Sequence, residues 1–527
     1  MDASAKYGKR TAFSLFQDGA VCEERRISYS TMAQKAKQLG RFLIETGVQP
    51  GGRVMLMADN CPEWPLAYFG IAMAGAVSVP LLTGFSAEQV QYIAGHAEVS
   101  AVILSRSMIS KVDKLQITLP LIFIDSMTDS IAISVNGMEK RFPLPSSEGE
   151  FPKREPNDLA VIIYTSGTSG KSKGVMLSNS NILSCALSTL KMIKLYPWDR
   201  LVSVLPLAHA YECCLGLVAP VISGSSICYL DRPPSSSVLL PAARSIRPTI
   251  MITVPVFLEK MYRSAIVPKL QKSKLYRLPL TRPLVLYAAG KKLIKTLGGS
   301  IRFFGIGGAP LSPETEKFLR SARFPFAMGY GLTEAAPLVA GSVPFKFPFR
   351  STGKTSPGVE MRIVPDGEEN AENDGNSVGE IQVRGPNIML GYYRNEEQTR
   401  EAFTADGWLR TGDLGRFDKK NRIFVCGRIK SLILGPCGEN IYPEEIEGML
   451  GGEQIVEEAL VYPGKKGELV AMVRLSAPAL EHALEDLREK VNKRLASFSR
   501  LSRIEIRNEP FEKTPTMKIK RYLYAQA

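Results

Sequence analysis

Residues 164–176 read Tyr-Thr-Ser-Gly-Thr-Ser-Gly-Lys-Ser-Lys-Gly-Val-Met. Hydroxyl donors (Thr165, Ser166, Thr168, Ser169, Ser172), glycines (Gly167, Gly170, Gly174) and two lysines (Lys171, Lys173) stand side by side here. An oxyanion cradle needs these things: N–H groups that close in without a Cβ between them, hydroxyls, and positive charge. The apolar run Leu159–Ile163 just before it predicts a buried strand feeding the loop, although surface loops carry similar compositions. A Walker loop has four residues between its first glycine and Gly-Lys-Ser. Gly167 and Gly170 are separated by two, so the standard NTPase loop is excluded.

Further segments carry useful chemistry. Gly307-Gly308-Ala309-Pro310-Leu311-Ser312 lies between a predicted strand and a predicted helix, where small residues let a flat ligand approach the backbone, as they also would in a plain β–α turn. Gly329-Tyr330-Gly331-Leu332-Thr333-Glu334 offers a ring for a base, a hydroxyl for a phosphate and a carboxylate for Mg²⁺; it reads equally as a tight turn with a buried tyrosine. Trp408–Gly415 places Asp413 after a turn, where a carboxylate can bridge ribose hydroxyls or simply close the turn. Gly427–Pro443 sets the basic pair Arg428 and Lys430 among glycines, which fits a hinge. Lys513-Thr-Pro-Thr-Met-Lys518-Ile-Lys520-Arg521 is a shaped basic loop that presents a lysine or is merely solvated.

These segments need a scaffold. Met32, Ala36, Leu39, Phe42 and Leu43 recur at helix spacing, Arg53–Ala58 reads as a strand, and helices and strands then alternate through Pro62–Ala74, Ala76–Pro80, Val90–Ala97 and Ala101–Ser105. Such alternation predicts an α/β fold with parallel sheets. Residues 136–158, rich in Pro, Ser, Gly, Glu and Lys, read as a connector. A second alternation starts at Leu159, and shorter β-type runs follow Pro344 (Val359–Val364, Gly379–Arg384, Arg422–Cys426). The last hundred residues suggest a small α+β unit, with helices at Pro443–Leu450 and Ala479–Phe498. The expected organisation is an N-terminal domain over 1–428, made of α/β subdomains at about 1–150 and 151–343 and a β-rich one at 344–428, then a mobile C-terminal domain over 429–527.

A chain of 527 residues exceeds one compact core. The net charge of +14 asks for anionic partners, yet the basic residues read as scattered, with no block of five or six, and no zinc-finger or RNA-binding signature accompanies them. Nucleic acid is therefore not expected, whereas weak contact with anionic lipid headgroups stays open. Eight cysteines without C-x-x-C spacing and only three histidines leave no zinc site to build. Reduced thiols and a start without a signal-peptide core point to a cytoplasmic protein, peripheral at most on the inner membrane face.

Taken together and in order, these motifs resemble the acyl-adenylate-forming superfamily over nearly the whole chain. Pro206-Leu-Ala-His209-Ala-Tyr-Glu212, Val254–Lys260 and Arg302–Leu311 are most similar to its long-chain fatty acyl-CoA synthetase branch. The resemblance implies an AMP-forming acid–thiol ligase using ATP, Mg²⁺ and coenzyme A on a fatty acid. Acyl carrier protein is an alternative acceptor, and a non-catalytic nucleotide-binding or membrane-scaffold relative is a third reading. It further implies that Thr165, Ser166, Gly167, Thr168, Ser169, Gly170 and Lys173 grip phosphates, and that Thr165 and Glu334 ligate the metal. Gly308, Ala309, Tyr330 and Gly331 would flank adenine, Thr333 would reach the α-phosphate, and Asp413 and Arg428 would hold the ribose. Lys518 would be the catalytic lysine and His209 would line the acyl site. Lys430 would be the hinge, with Gly435, Gly438 and Glu439 near a coenzyme A tunnel. Ser172 and Met517 depart from the family's usual Pro and Gly but leave the donors in place. Val218, Val221, Ile222, Val254, Phe257, Leu258 and Met261 would suit an alkyl chain or an ordinary core.

Overall fold

The computed structural model describes residues 2–112, 119–124, 130–135, 138–166, 172–365, 377–434, 440–453, 455–464, 468–476, 481–514 and 519–524. Among the described residues two large sheets of nine strands each form the body of the protein. The first runs, edge to edge, through Gly391–Tyr392, Ser172–Ser178, Leu159–Ser166, Val77–Pro80, Arg53–Met57, Val99–Leu104, Leu121–Phe123, Ser130–Val135 and Met138–Pro143. The second runs through Lys354–Thr355, Leu338–Gly341, Phe326–Gly331, Phe303–Ile306, Ile250–Thr253, Arg200–Val202, Ser226–Leu230, Thr11–Gln17 and Ala20–Ser28. Both have parallel centres and antiparallel edges. The central strands are continuous apolar runs such as Val54–Met57 and Ile250–Ile252, fully buried because helices cover both faces.

The helices start where the sequence supplies caps. Ser28 opens Tyr29–Glu45 by accepting from Thr31 N–H, and Ser178 and Asn181 cap each other's backbone ahead of Asn179–Met192. A four-stranded antiparallel sheet (Glu360–Val364, Gly379–Arg384, Leu409–Phe417, Ile423–Arg428) follows, then a three-stranded sheet (Val456–Pro463, Leu469–Leu475, Leu501–Ile506) with helices Pro443–Leu450 and Glu481–Asn492.

Sheet membership does not follow chain order. The hairpin Thr11–Ser28 joins the second sheet through parallel pairing with Ser226–Leu230. Leaving the β-rich segment, Gly391–Tyr392 pairs with Ser172–Ser178 at the edge of the first. The stretch read as a connector contains the edge strand Met138–Pro143, exposed along its whole length. Its polar composition is that of a strand with one partner and water on the other side.

Candidate nucleotide site at the strand ends

Three neighbouring parallel strands of the second sheet, Ile250–Thr253, Phe303–Ile306 and Phe326–Gly331, release their chains on one side. There they deliver Val254, Gly307–Ala309 and Tyr330–Glu334. Open α/β sheets bind ligands at such carboxyl edges. Gly308 has φ +84°, a conformation glycine adopts without strain, and it and Ala309 are exposed. Gly331 must also be glycine: a Cβ there would sit 1.9 Å from the Pro337 carbonyl oxygen.

The turn after Gly331 is tied down from several sides. Leu332 N–H donates to Pro337 O at 3.0 Å, and Met389 N–H donates to Glu334 O at 2.8 Å. Buried Asn387 donates its amide to Ala335 O at 2.8 Å and Leu338 O at 3.2 Å. Thr333 and Glu334 are thereby left half-buried beside one another.

On one side of this turn lies an acid–base network. Tyr330 is buried, and its hydroxyl donates to Asp413 Oδ2 at 2.8 Å. Asp413 Oδ1 lies 3.2 Å from Arg428 Nε, the two residues being register partners on adjacent strands. Burial, then the Asp413 charge, raises the tyrosine pKa well above its usual value, so the phenol stays a donor. Asp413 does not follow a turn, as its glycine-flanked setting suggests; it sits inside the strand Leu409–Phe417. Cross-strand register therefore fixes its geometry.

On the other side, Lys173 lies opposite Thr165 across two antiparallel strands, and Ser172 pairs with Ser166 through the backbone. Tyr392 reaches Lys173 from the added edge strand, with the ammonium 5.0 Å from the ring centroid. The Tyr392 hydroxyl donates to Glu334 Oε1 at 2.9 Å. Burial lowers the Lys173 pKa, the Lys430 charge lowers it further, and Glu334 opposes both. The structure thus gathers Thr165, Lys173, Glu334, Tyr392 and Lys430 on one flank of the turn and Tyr330, Asp413 and Arg428 on the other.

His209 stands on the loop after Arg200–Val202, where Nδ1 accepts from Tyr211 N–H at 3.2 Å. Tyr211 packs beneath the glycine loop, 3.3 Å from where a Cβ on Gly307 would lie. The seven apolar candidates divide. Val218, Val221 and Ile222 pack with the core of the first sheet, and Val218 lines a cavity of about 120 Å³ with Tyr68, Ala72, Val161 and Ile182. Phe257, Leu258 and Met261 pack with the core of the second, while Val254 faces Gly308. Gly167, Thr168, Ser169, Gly170, Gly435, Gly438, Glu439 and Lys518 lie outside the described residues, as does the side chain of Ser166. Asn387 and Tyr392 escaped the sequence reading, since each is isolated in sequence and meets the site only through the fold.

A family model described as "AMP-binding enzyme" matches residues 2–393. The chain belongs to the AMP-binding enzyme family. This AMP-binding enzyme is 30% identical over 495 residues to the long-chain-fatty-acid–CoA ligase FadD15 of Mycobacterium bovis, covering 86% of this chain and 78% of that one. It is 28% identical over 504 residues to the peroxisomal long chain acyl-CoA synthetase 7 of Arabidopsis thaliana, covering 88% of this chain and 70% of the relative. Among solved structures it superposes on the o-succinylbenzoate coenzyme A synthetase of Bacillus subtilis in complex with ATP and magnesium, with TM-score 0.80, 24% identity, and coverage of 100% of this chain and 98% of that one. That last likeness is one of fold.

Proposed function

We propose that this AMP-binding enzyme activates a medium- to long-chain fatty acid with ATP and passes the acyl group to coenzyme A. A carboxylate oxygen of the acid attacks the α-phosphorus, and the bond to pyrophosphate breaks. The coenzyme A thiolate then attacks the acyl carbonyl, and AMP leaves. Neither step demands a strong acid or base; both demand charge neutralisation and in-line alignment. The observation that carries the reading is the convergence of Tyr330–Asp413–Arg428 and Lys173–Tyr392–Glu334 on one turn at the carboxyl ends of parallel strands.

In this reading Asp413 and Arg428 bind the ribose, Gly308, Ala309, Tyr330 and Gly331 flank the base, and Thr333 reaches the α-phosphate. Lys173 neutralises the outer phosphates with the loop from Thr165. The Glu334 carboxylate and Thr165 hydroxyl are hard oxygen ligands of the kind Mg²⁺ takes beside nucleotide phosphates, and the ion would offset phosphate charge. His209 borders the acyl site. The C-terminal unit from residue 429 turns about Lys430 between the two half-reactions, bringing Gly435, Gly438 and Glu439 towards coenzyme A. Both long-chain relatives are named for coenzyme A, which favours it over acyl carrier protein as acceptor.

Pyrophosphate release across carboxylic acids from short to long chain, with each acceptor, tests this. Release should rise with chain length and thioester should form with coenzyme A. Release that ignores every fatty acid would sink the proposal. Asp413→Asn should raise the KM for ATP about 10-fold or more, the worth of a charge-assisted hydrogen bond, with a smaller effect on the KM for the acid. An unchanged ATP dependence would remove Asp413 from the ribose site.

A further inference from the structure

From Lys260 to Arg302 the chain has eleven lysines and arginines and no aspartate or glutamate. The surplus of +14 is thus largely local, which corrects the impression of scatter. Within the same stretch, Leu275, Leu278, Leu280 and Leu284 are 56%, 54%, 92% and 69% exposed, and Tyr287 is 41% exposed. These side chains occupy the short helix Lys274–Arg277, the turn after it and the first turns of the helix Arg282–Thr296. The turn is well held: Thr281 and Arg282 N–H groups donate to Leu278 O at 3.2 and 3.0 Å. The helix is anchored from behind, because Gly290 lets the backbone of Ala322 approach and Leu293 and Leu297 are buried. The leucines therefore project from a fixed platform, ringed by exposed Lys272, Lys274, Arg277, Lys291, Lys292 and Lys295.

We propose that this face docks the protein on an anionic phospholipid bilayer, with Leu278, Leu280 and Leu284 entering the interface and the surrounding cations meeting headgroup phosphates. A phosphate backbone alone would be met by the cations but would leave the leucines in water; a bilayer satisfies both. The contact is peripheral, since no helix among the described residues is long and apolar enough to cross a membrane. The helical stretch from Pro255 to Lys272 leads from the strand-end site to this face. Supplying the acyl chain from the bilayer rests on the proposed function, whereas the docking itself is read with neither ATP nor fatty acid present.

Co-sedimentation of the full chain with vesicles of phosphatidylcholine, and with vesicles in which phosphatidylglycerol replaces part of it, tests the proposal. The protein should pellet with the anionic vesicles only, and less as salt is raised. Lys291→Glu with Lys292→Glu should lower the partition coefficient about 10-fold or more. Lys419→Glu with Lys420→Glu alters net charge equally on an exposed turn elsewhere and should have little effect. Leu280→Ser with Leu284→Ser should release the protein while leaving its melting temperature unchanged, as expected of side chains already in water. The proposal is overturned if the native chain ignores anionic vesicles, if both charge pairs act alike, or if the leucine variant binds as the native chain does. Salt-sensitive binding to an RNA oligomer without vesicle binding would likewise overturn it.

Discussion

Lys518→Ala should slow acyl-adenylate formation about 100- to 1000-fold, the usual effect of removing one donor aimed at developing charge. Thioester formation from supplied acyl-AMP should stay close to native, because that half-reaction needs no new charge stabilised on the α-phosphate. The split between the two assays is the informative quantity: equal losses in both would mean that the substitution damages the C-terminal unit as a whole. The segment carrying Lys518 is bounded by ordered contacts. Lys513 and Ile519 form an antiparallel bridge, Lys520 N–H donates to Glu512 O at 2.9 Å, and Arg521 pairs with Glu447. Lys513 is engaged by Glu458 and Lys520 by Glu512, which leaves neither as an easy substitute. Near-normal adenylation by Lys518→Ala would remove this lysine from the chemistry.

The buried parallel strands were legible because hydrophobic burial writes itself locally. Arg53–Met57, Val77–Pro80, Ile250–Thr253 and Phe303–Ile306 are short apolar runs bounded by turn residues, and the structure has strands there. Pairing between distant segments was not legible. The hairpin Thr11–Ser28 carried a usable signal, an Asp18-Gly19 turn with both residues at positive φ, but its partner lies some 200 residues away. Tyr330 and Asp413 each stand in a recognisable motif, yet their hydrogen bond depends on register across separate sheets. Tyr392 bears no motif at all. It meets Lys173 only because two residues leave the β-rich segment to extend another sheet. Local chemistry thus named candidates, and non-local pairing decided which of them meet.

Glu212 should make the protein's stability fall as pH rises from about 4.5 to about 8, and Glu212→Gln should abolish that dependence. Its carboxyl group is fully enclosed at the start of the π-helical stretch Glu212–Val218, directly after the His209 loop. Ser203 donates to Oε1 at 2.5 Å and accepts from Asn60 at 2.9 Å, while Oε2 has no hydrogen-bond partner among the described residues. Gly216 makes room for it: a Cβ there would lie 2.6 Å from the carboxyl carbon. No ion pair to Glu212 is present among the described residues, and burial pushes its pKa up to about 8, with the Ser203 hydrogen bond opposing. The acid form is therefore the folded form near neutrality. Between the two pKa values the unfolded chain has released its proton and the folded chain retains it, so stability drops through this window and the loss is complete above it. Gln keeps a neutral group for Ser203 and does not titrate. Its melting temperature should exceed the native one by roughly 5 °C near the alkaline end of the window and match it at the acid end. Glu212→Ala should instead destabilise by about 2–4 kcal/mol at the acid end of the window, through the cavity it opens beneath the loop that Asn60 ties down at Leu205 O and Leu207 N, and its deficit should shrink towards the alkaline end, where the native carboxyl has lost its contribution. Parallel pH profiles for the native and Gln proteins would show that the carboxyl is ionised in place.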